Sequence, residues 1–240
     1  KKKGGSKKAK AIPFSKKEWY DIQTPAMFTK RASMKTLVNR TFGKKTSEAG
    51  LLGRVVKMNI GDIHEMYEQT GTSCMNIKMK VEGVSGRTCY TRFHGMCLTT
   101  EKLRSIVRRW QTLIEGSLDM KTADGYMLRI FVIGSTRRPE GDFSRTSYIK
   151  SSTVKKVRKI FFDVTRSELE GSTIAEIVDK LVKDSVGKEI IAHAKDIACL
   201  QNVCVRKIKL LKAPKYEGVV EEMGEPVEEA WNEPEISETV

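Results

Sequence analysis

Phosphate binding is the chemistry that the residue types of this chain favour most strongly. Residues 129–159 hold nine basic side chains against Glu140 and Asp142 as the only acids. The basic residues are Arg129, Arg137, Arg138, Arg145, Lys150, Lys155, Lys156, Arg158 and Lys159. Paired arginines clamp phosphate bidentately, and a one-sided row of lysines on a helix can follow a nucleic-acid groove. A solvated helix face is the alternative, but such faces normally interleave acids with bases.

A metal site is the second chemistry that the sequence suggests, and it is the weaker one. Cys89, His94 and Cys97 lie within nine residues, but no fourth ligand is near and no CxxC knuckle is present. A buried thiol on an alternating strand explains the same residues, and we favour it. The Lys-rich first residues lack the apolar segment of a secretory signal, so we expect the five cysteines to be reduced. We predict no metal and no cofactor.

Catalytic motifs do not stand out in this chain. We find no GxxxxGK[ST], GxGxxG, HExxH or GxSxG pattern. Asp119, Asp124, Asp142 and Asp163 are scattered, so they define no carboxylate pair. We therefore predict a protein that is not an enzyme.

Charge is distributed unevenly along the chain. Residues 1–45 carry 14 Lys or Arg against 2 acids, and residues 217–240 carry nine Glu and no base. With +12 and −9 at the two ends, the total of +14 leaves +11 for residues 46–216. This pattern indicates a polyanionic partner, with nucleic acid ahead of other classes. No run approaches the roughly 18 apolar residues of a membrane span, so we expect no membrane partner.

The same pattern divides the chain into three parts. We predict a basic extended arm over residues 1–45, a single globular RNA-binding domain over 46–216 and a disordered acidic tail over 217–240. Within the arm, Lys7 and Lys8 are candidate RNA contacts. Trp19, Tyr20, Met27 and Phe28 follow the Lys-rich start as apolar anchors, and for the aromatic residues we favour docking on their own domain over stacking on bases.

Strands are predicted along the first half of the globular region. Residues 53–134 are rich in period-two alternation, for example at Met75, Ile77 and Met79, which predicts strands with one buried face. Asp124-Gly125 between two such runs predicts a hairpin with a type I′ turn. The last strand, residues 202–212, changes phase, which predicts a bulge near Arg206-Lys207.

Helices are predicted at four places. The first covers about residues 99–115 and puts Trp110 in the core, and the second covers about 144–164. Thr173-x-x-Glu176 predicts a capping box, and Asp184-Ser185 a further short helix with Ile190, Ala194 and Ile197 inward. The fold class is therefore α+β: a mostly antiparallel sheet that could close into a partial barrel, with three to four packed helices and disordered termini.

Eight ordered segments resemble one protein family. They are PFSKKEWYDIQTPAMF (13–28), KTLVNRT (35–41), FHGMCLT (93–99), RRWQTLIE (108–115), KTADGYMLRIF (121–131), RTSYIKSS (145–152), DSVGKEI (184–190) and NVCVRKIKLLKAPK (202–215). The family is the small-subunit ribosomal protein shared by eukaryotes and archaea, the eukaryotic S-one family, also called S-three-a or v-fos transformation effector protein. The chain departs from its pattern at Ser135, where an aromatic residue is usual, and over residues 198–201.

The resemblance implies a structural component of the cytosolic small ribosomal subunit. It implies a place on the platform near the mRNA exit, a role in subunit maturation and translation initiation, and passage through the nucleolus. The implied partners are small-subunit rRNA, neighbouring ribosomal proteins, initiation factors and mRNA near the exit. The rRNA contacts carried over by resemblance are Lys16, Lys17, Trp19, Arg137, Arg138, Arg145, Tyr148, Arg206 and Lys207. The charge pattern adds Lys155, Lys156 and Lys159.

Two other functions stay open at this point. One is a free initiation-type factor that binds mRNA transiently, which differs from a subunit component in its stoichiometry. The other is a zinc-dependent enzyme built on Cys89, His94 and Cys97, which metal analysis would detect.

Overall fold

The computed structural model describes residues 12–64 and 74–214. After a short 3-10 turn, Pro13–Lys16, the strands are β1 (Lys17–Gln23), β2 (Ala32–Asn39), β3 (Val55–Asn59), β4 (Met75–Ser85), β5 (Thr88–Leu98), β6 (Leu113–Lys121), β7 (Met127–Thr136) and β8 (Leu200–Lys212). The helices are α1 (Ser47–Leu51), α2 (Ile60–Ile63), α3 (Thr100–Ile106), α4 (Ser151–Leu169), α5 (Ile174–Val182) and α6 (Ser185–Ala194). The predicted acidic tail, Lys7 and Lys8 lie outside the described residues.

The strands form one mixed sheet in the order β2-β1-β5-β8-β7-β6, with β4 also paired to β5 and β3 to β4. All described pairs are antiparallel except β1 with β5. The predicted α+β class is confirmed, while the described strands leave the sheet open rather than closing it into a barrel. Residues 17–39, which the charge pattern placed in the arm, form β1 and β2 of this sheet.

One face of the sheet carries the core. Strand pairing aligns a row of apolar side chains across six strands. The row comprises Met58, Ile77, Met96, Ile208, Ile130 and Leu118, all buried. Helices α4 to α6 lie on this face, and Phe161 of α4 is fully buried in the same cluster. Period-two strands and 3.6-period helices therefore turn their apolar residues toward one common layer.

The hairpin and capping-box predictions are confirmed, but the turn type is wrong. Gly125 has φ +79°, whereas Asp124 does not have a positive φ, so the turn is not type I′. The Gly125 N–H donates to the Thr122 carbonyl at 3.1 Å, as in a three-residue loop that ends with a left-handed glycine. The Asp124 carboxylate instead accepts the Ile174 N–H at 2.8 Å and ties the hairpin to α5.

Thr173 and Glu176 cap α5 reciprocally, as predicted. The predicted bulge in β8 is also confirmed. Val205 pairs with Val132 and Lys207 with Phe131, which leaves Arg206 as the extra residue.

The predicted helix over 99–115 is wrong in its second half. Helix α3 ends at Ile106, Trp110 has φ +68°, and β6 begins at Leu113. The nine register pairs of β6 with β7 outweigh the local helical spacing, because long-range pairing overrides weak intrinsic propensity. Two smaller corrections concern α4, which begins at Ser151 rather than near 144, and Ile197, which is exposed rather than inward.

Within the described ranges, no helix combines the length and apolar character needed to cross a membrane.

Candidate nucleic-acid interface

The loop between β7 and α4, residues 137–150, carries four of the predicted RNA contacts. Arg137, Arg138, Arg145 and Tyr148 are all exposed there. The Ser147 N–H donates to the Trp110 carbonyl at 2.8 Å, and the Thr136 hydroxyl donates to the Ser147 carbonyl at 2.6 Å. The loop is therefore fixed to the sheet by hydrogen bonds rather than free in solvent.

Trp110 is the centre of this region, contrary to the prediction that it belongs to the core. Its side chain is 42% exposed, and the Arg145 guanidinium carbon lies 4.2 Å from its ring centroid. Its φ of +68° is unusual for a bulky residue, and strained backbone of this kind is concentrated at functional sites. Aromatic rings and arginine planes are also the groups on which proteins stack unpaired RNA bases. We call Trp110, Arg137, Arg138, Arg145 and Tyr148 the loop surface.

The arginines of the loop surface differ in how far they are already engaged. The Arg138 guanidinium donates to the Ser144 carbonyl at 2.8 Å and so helps to shape its own loop. The Arg137 side chain has no partner among the described residues, while its backbone N–H donates to the Cys199 carbonyl at 2.9 Å. Arg137 therefore has all its side-chain donors available for a ligand.

Helix α4 extends the basic surface. Lys155, Lys156 and Lys159 are exposed and lie opposite the buried Val157 and Phe161. This arrangement matches the predicted one-sided row, since residues three and four apart share a helix face. Arg158, by contrast, turns toward the sheet and donates to the Glu115 carbonyl at 2.9 Å.

The outer face of the sheet, opposite the core, is a second basic surface. Strand pairing places two rows of outward residues side by side across six strands. The first row is Lys57, Lys78, Gly95, Lys209, Arg129 and Asp119, and the second is Asn59, Asn76, Cys97, Lys207, Phe131 and Ser117. Helix α3 covers only the end of this face where Ile106 packs with Ile133. We call these two rows the open sheet face.

Cations outnumber acids on the open sheet face. Arg129 donates to both carboxylate oxygens of Asp119, at 2.6 and 2.7 Å, which lowers the pKa of Asp119 and raises that of Arg129. Lys57, Lys78, Lys207 and Lys209 have no ion pair with any acid in the described part of the chain. Burial lowers the pKa of Lys207, and the nearby charges of Lys209, Lys78 and Arg206 lower it further. These cations repel one another in the free protein.

Phe131 lies among these charges. The Arg206 guanidinium carbon and the Lys209 ammonium are each 5.6 Å from its ring centroid. Arg206 also lies 3.8 Å from Glu115, and its Nε is buried with no hydrogen-bond partner. The open sheet face thus combines one aromatic ring with several ammonium and guanidinium groups.

The remaining predicted contacts lie elsewhere. Lys16, Lys17 and Trp19 are at the β1–β2 end of the strand order, away from β6 and β7. Tyr20 and Phe28 are buried, as the docking prediction requires, but Trp19 is 58% exposed. The predicted residues therefore form three groups rather than one: the loop surface with α4, Lys207 of the open sheet face with the adjacent Arg206, and the residues at or before β1.

Sequence reasoning missed several residues of these surfaces. Lys57, Lys78, Lys209 and Phe131 were not singled out, although their alternation with buried residues marks them as outward. The missing information was the strand order, which brings them together from four strands. Trp110 was misassigned because its left-handed backbone has no signature in the sequence.

The cysteines do not form a metal site in the described ranges, where no three His, Cys, Asp or Glu side chains converge. Cys89 is buried beside Tyr20, Val38 and Leu51, and burial raises the pKa of its thiol. Cys97 lies farther along the same strand, on the open sheet face, so strand β5 holds the two thiols apart.

Comparison with known proteins agrees with the resemblance found in the sequence. The profile of the Ribosomal S3Ae family matches residues 5–214. The small ribosomal subunit protein eS1 of Brugia malayi is 45% identical over 215 residues, which cover 90% of this chain and 82% of that protein. The matched residues span the eight strands and six helices that the structure describes. The chain therefore belongs to the Ribosomal S3Ae family and is a ribosomal protein.

Proposed function

We propose that this protein is a structural constituent of the small ribosomal subunit and binds rRNA through the loop surface and the exposed lysines of α4. The observation that carries the proposal is the Trp110–Arg145 stack at 4.2 Å, flanked by exposed arginines on a hydrogen-bonded loop. Family membership supports the ribosomal setting. The sequence resemblance supports the finer placement, on the platform near the mRNA exit and the 3′ end of the small-subunit rRNA.

Each part of the loop surface has a distinct role in this proposal. Arg137 and Arg138 bind backbone phosphates, because a guanidinium offers paired donors to phosphate oxygens. Trp110 and Arg145 stack an unpaired base, and the α4 lysines follow the backbone beyond it. Since Thr136 and Ser147 already hold the loop, binding orders few additional residues.

The decisive experiment measures how RNA binding depends on salt. The double variant Arg137→Ala/Arg138→Ala should lower the salt slope of binding to small-subunit rRNA fragments by roughly two units, since two phosphate contacts are lost. Arg137→Ala alone should lower the salt slope by about one unit. Because this variant keeps the Arg138–Ser144 hydrogen bond, a lower slope cannot be caused by a disturbed loop. Lys44→Ala/Lys45→Ala is the charge-matched control, in an exposed turn beyond β2. An unchanged slope in the Arg137 variants would refute the proposal.

The partners and location follow from the same proposal. Neighbouring ribosomal proteins, initiation factors and mRNA near the exit are the further contacts, in the cytosolic ribosome after passage through the nucleolus during assembly. A subunit component co-sediments one to one with small subunits in sucrose gradients and resists moderate salt. A free initiation-type factor would instead be substoichiometric and leave the subunit first as salt rises.

A further inference from the structure

We infer that the open sheet face is a separate binding site for a single-stranded segment of RNA, with Phe131 as the base-stacking residue. This inference rests on the proposed RNA-binding function and adds a second surface with a different class of RNA element. The loop surface and the open sheet face differ in structure, because one is a loop beside a helix and the other is the outer face of a sheet.

The spacing of the cations supports a backbone lying across the strands. Neighbouring strands are about 4.8 Å apart, so Lys57 and Lys78 are adjacent, as are Lys209 and Arg129. Between the two pairs lies Gly95, which carries no side chain. The first row therefore presents Lys57 and Lys78 on one side of Gly95 and Lys209 on the other, while Arg129 is already paired with Asp119.

Only glycine fits at position 95 between β5 and β8. Its φ is +153°, and a Cβ at this position would lie 2.5 Å from the Ile208 carbonyl oxygen. Any other residue would force β5 and β8 apart. Gly95 thus lets β5 and β8 pair closely and adds no side chain to the face, although its own backbone is buried.

Phe131 supplies a ring on which an RNA base can stack, which the cations cannot provide. It lies half-buried in the second row, opposite Lys207 in β8, with Arg206 and Lys209 each 5.6 Å from its ring. A base stacked on the ring would place its phosphates near these cations. Stacking on one aromatic is sequence-tolerant, because every base has a π face.

The charge and polarity of the open sheet face favour RNA over a neighbouring protein as its ligand. Its two rows contain only Cys97 and Phe131 as apolar residues, too little for a hydrophobic protein contact. Asp119 is already paired with Arg129, whereas four lysines have no acid partner in the described ranges. Repulsion among them is relieved by phosphate, and a face with one aromatic ring available for stacking suits a single strand better than a duplex.

The test uses the full chain and a twelve-nucleotide oligouridylate, with binding followed by fluorescence anisotropy at several salt concentrations. Lys207→Ala/Lys209→Ala should lower the salt slope by about 1.4 units, the value for two phosphates of a single strand. Phe131→Leu should weaken binding at least about fivefold and leave the slope unchanged, because no charge is lost. Phe131→Tyr keeps the ring and should bind like the parent. Unfolding midpoints of all variants confirm that the sheet is intact.

The loop variant Arg137→Ala/Arg138→Ala separates this inference from the proposed function. If it weakens rRNA binding while the sheet-face variants bind oligouridylate and rRNA like the parent, the inference is overturned and the function stands. If none of the variants affects RNA binding, both fail. If the sheet-face variants keep RNA binding but release a neighbouring protein from reconstituted subunits, the face belongs to that protein and the inference is overturned.

Discussion

The two faces of one sheet have opposite chemistry, and adjacent residues of the same strands supply both. Ile208 faces the core and is 1% exposed, while Lys209 faces outward and is exposed. Ile77 and Lys78 alternate in the same way, with Ile77 buried and Lys78 outward and half-buried. Because strand pairing keeps residues of one row in register, six strands align their apolar residues into a core and their cations into a surface. Positioning of charge is thus a direct product of folding.

The comparison implies that the core face determines stability and the outer face determines binding. The core row lies beneath three helices, and its residues are at most 8% exposed. The open sheet face is covered at one end by α3 and otherwise presents mostly polar side chains. Substitutions one position apart should therefore differ strongly in effect.

The largest expected difference is between Ile208→Ala and Lys209→Ala. The first removes buried methyl groups and leaves a cavity, so the free energy of unfolding should fall by about 2–5 kcal/mol. The second should change it by at most about 0.5 kcal/mol, as surface substitutions usually do. Urea unfolding of both variants measures the difference. Equal losses would show that the two faces do not divide stability and binding between them.

Gly95→Ala tests the close approach of strands β5 and β8. A Cβ there collides with the Ile208 carbonyl oxygen, so the strands must move, and overpacking of this kind costs about 1–3 kcal/mol. Gly86→Ala is the control, since Gly86 also has a positive φ, +56°, but nothing within 4 Å of an added Cβ. Thermal or urea unfolding should show a loss at Gly95 that exceeds the loss at Gly86 by that amount. Similar losses would mean that β5 and β8 can separate freely.

The alternation of buried and outward residues along each strand can be predicted from the sequence, whereas the order in which the strands pair cannot. Met75 to Val81, the hairpin at Gly125 and the capping box at Thr173 depend on neighbours within a few residues, and these predictions are confirmed. The bulge at Arg206 was also predictable, because it appears as a phase change within one strand. The order β4-β5-β8-β7 depends on contacts between distant segments, so the assembly of Lys78 with Lys209 could not be predicted.

In the candidate sites, too, features set by neighbouring residues could be predicted and contacts between distant segments could not. Arg137, Arg138, Arg145 and Tyr148 were predicted from the sequence and are exposed on one loop. Trp110 was assigned to a helix because its spacing from Ile106 is helical, yet sheet pairing of β6 ends that helix early. The Trp110–Arg145 stack joins residues on two different loops, and no local sequence pattern predicts such a contact.

A smaller effect is expected from Lys207→Gln. This variant tests whether repulsion among the cations of the open sheet face lowers the free energy of unfolding. Burial, together with Lys209, Lys78 and Arg206, disfavours the charged form of Lys207 and lowers its pKa. Removing this charge should raise the free energy of unfolding at low salt by about 0.2–1 kcal/mol, the usual size of a like-charge effect across strands. The gain should shrink in 1 M salt, where the charges are screened. A loss of stability at low salt would contradict the repulsion.

The finest test concerns His94, the extra residue of a bulge in β5, between Phe93 and Gly95. Burial lowers its pKa, and the charges of Lys80 and Lys78 lower it further, so it is neutral in the free protein at pH 7. Because the unfolded chain binds this proton more tightly, the free protein should lose stability as the pH falls through about 6.5. Phosphates on the open sheet face would offset both lysines and raise the pKa of His94. By linkage, RNA binding should then strengthen as the pH falls through the same region.

NMR titration of the His94 ring protons, with and without oligouridylate, measures this shift directly. His193 is the internal control, because it lies on α6 at the other side of the sheet and its signal should not respond to RNA. The variant His94→Gln should abolish this part of the pH dependence of binding without changing affinity at pH 8. A His94 titration that is identical with and without RNA would place the phosphates away from Lys78 and Lys80. The two faces would then still differ in chemistry, but the outer one would not bind RNA at this end.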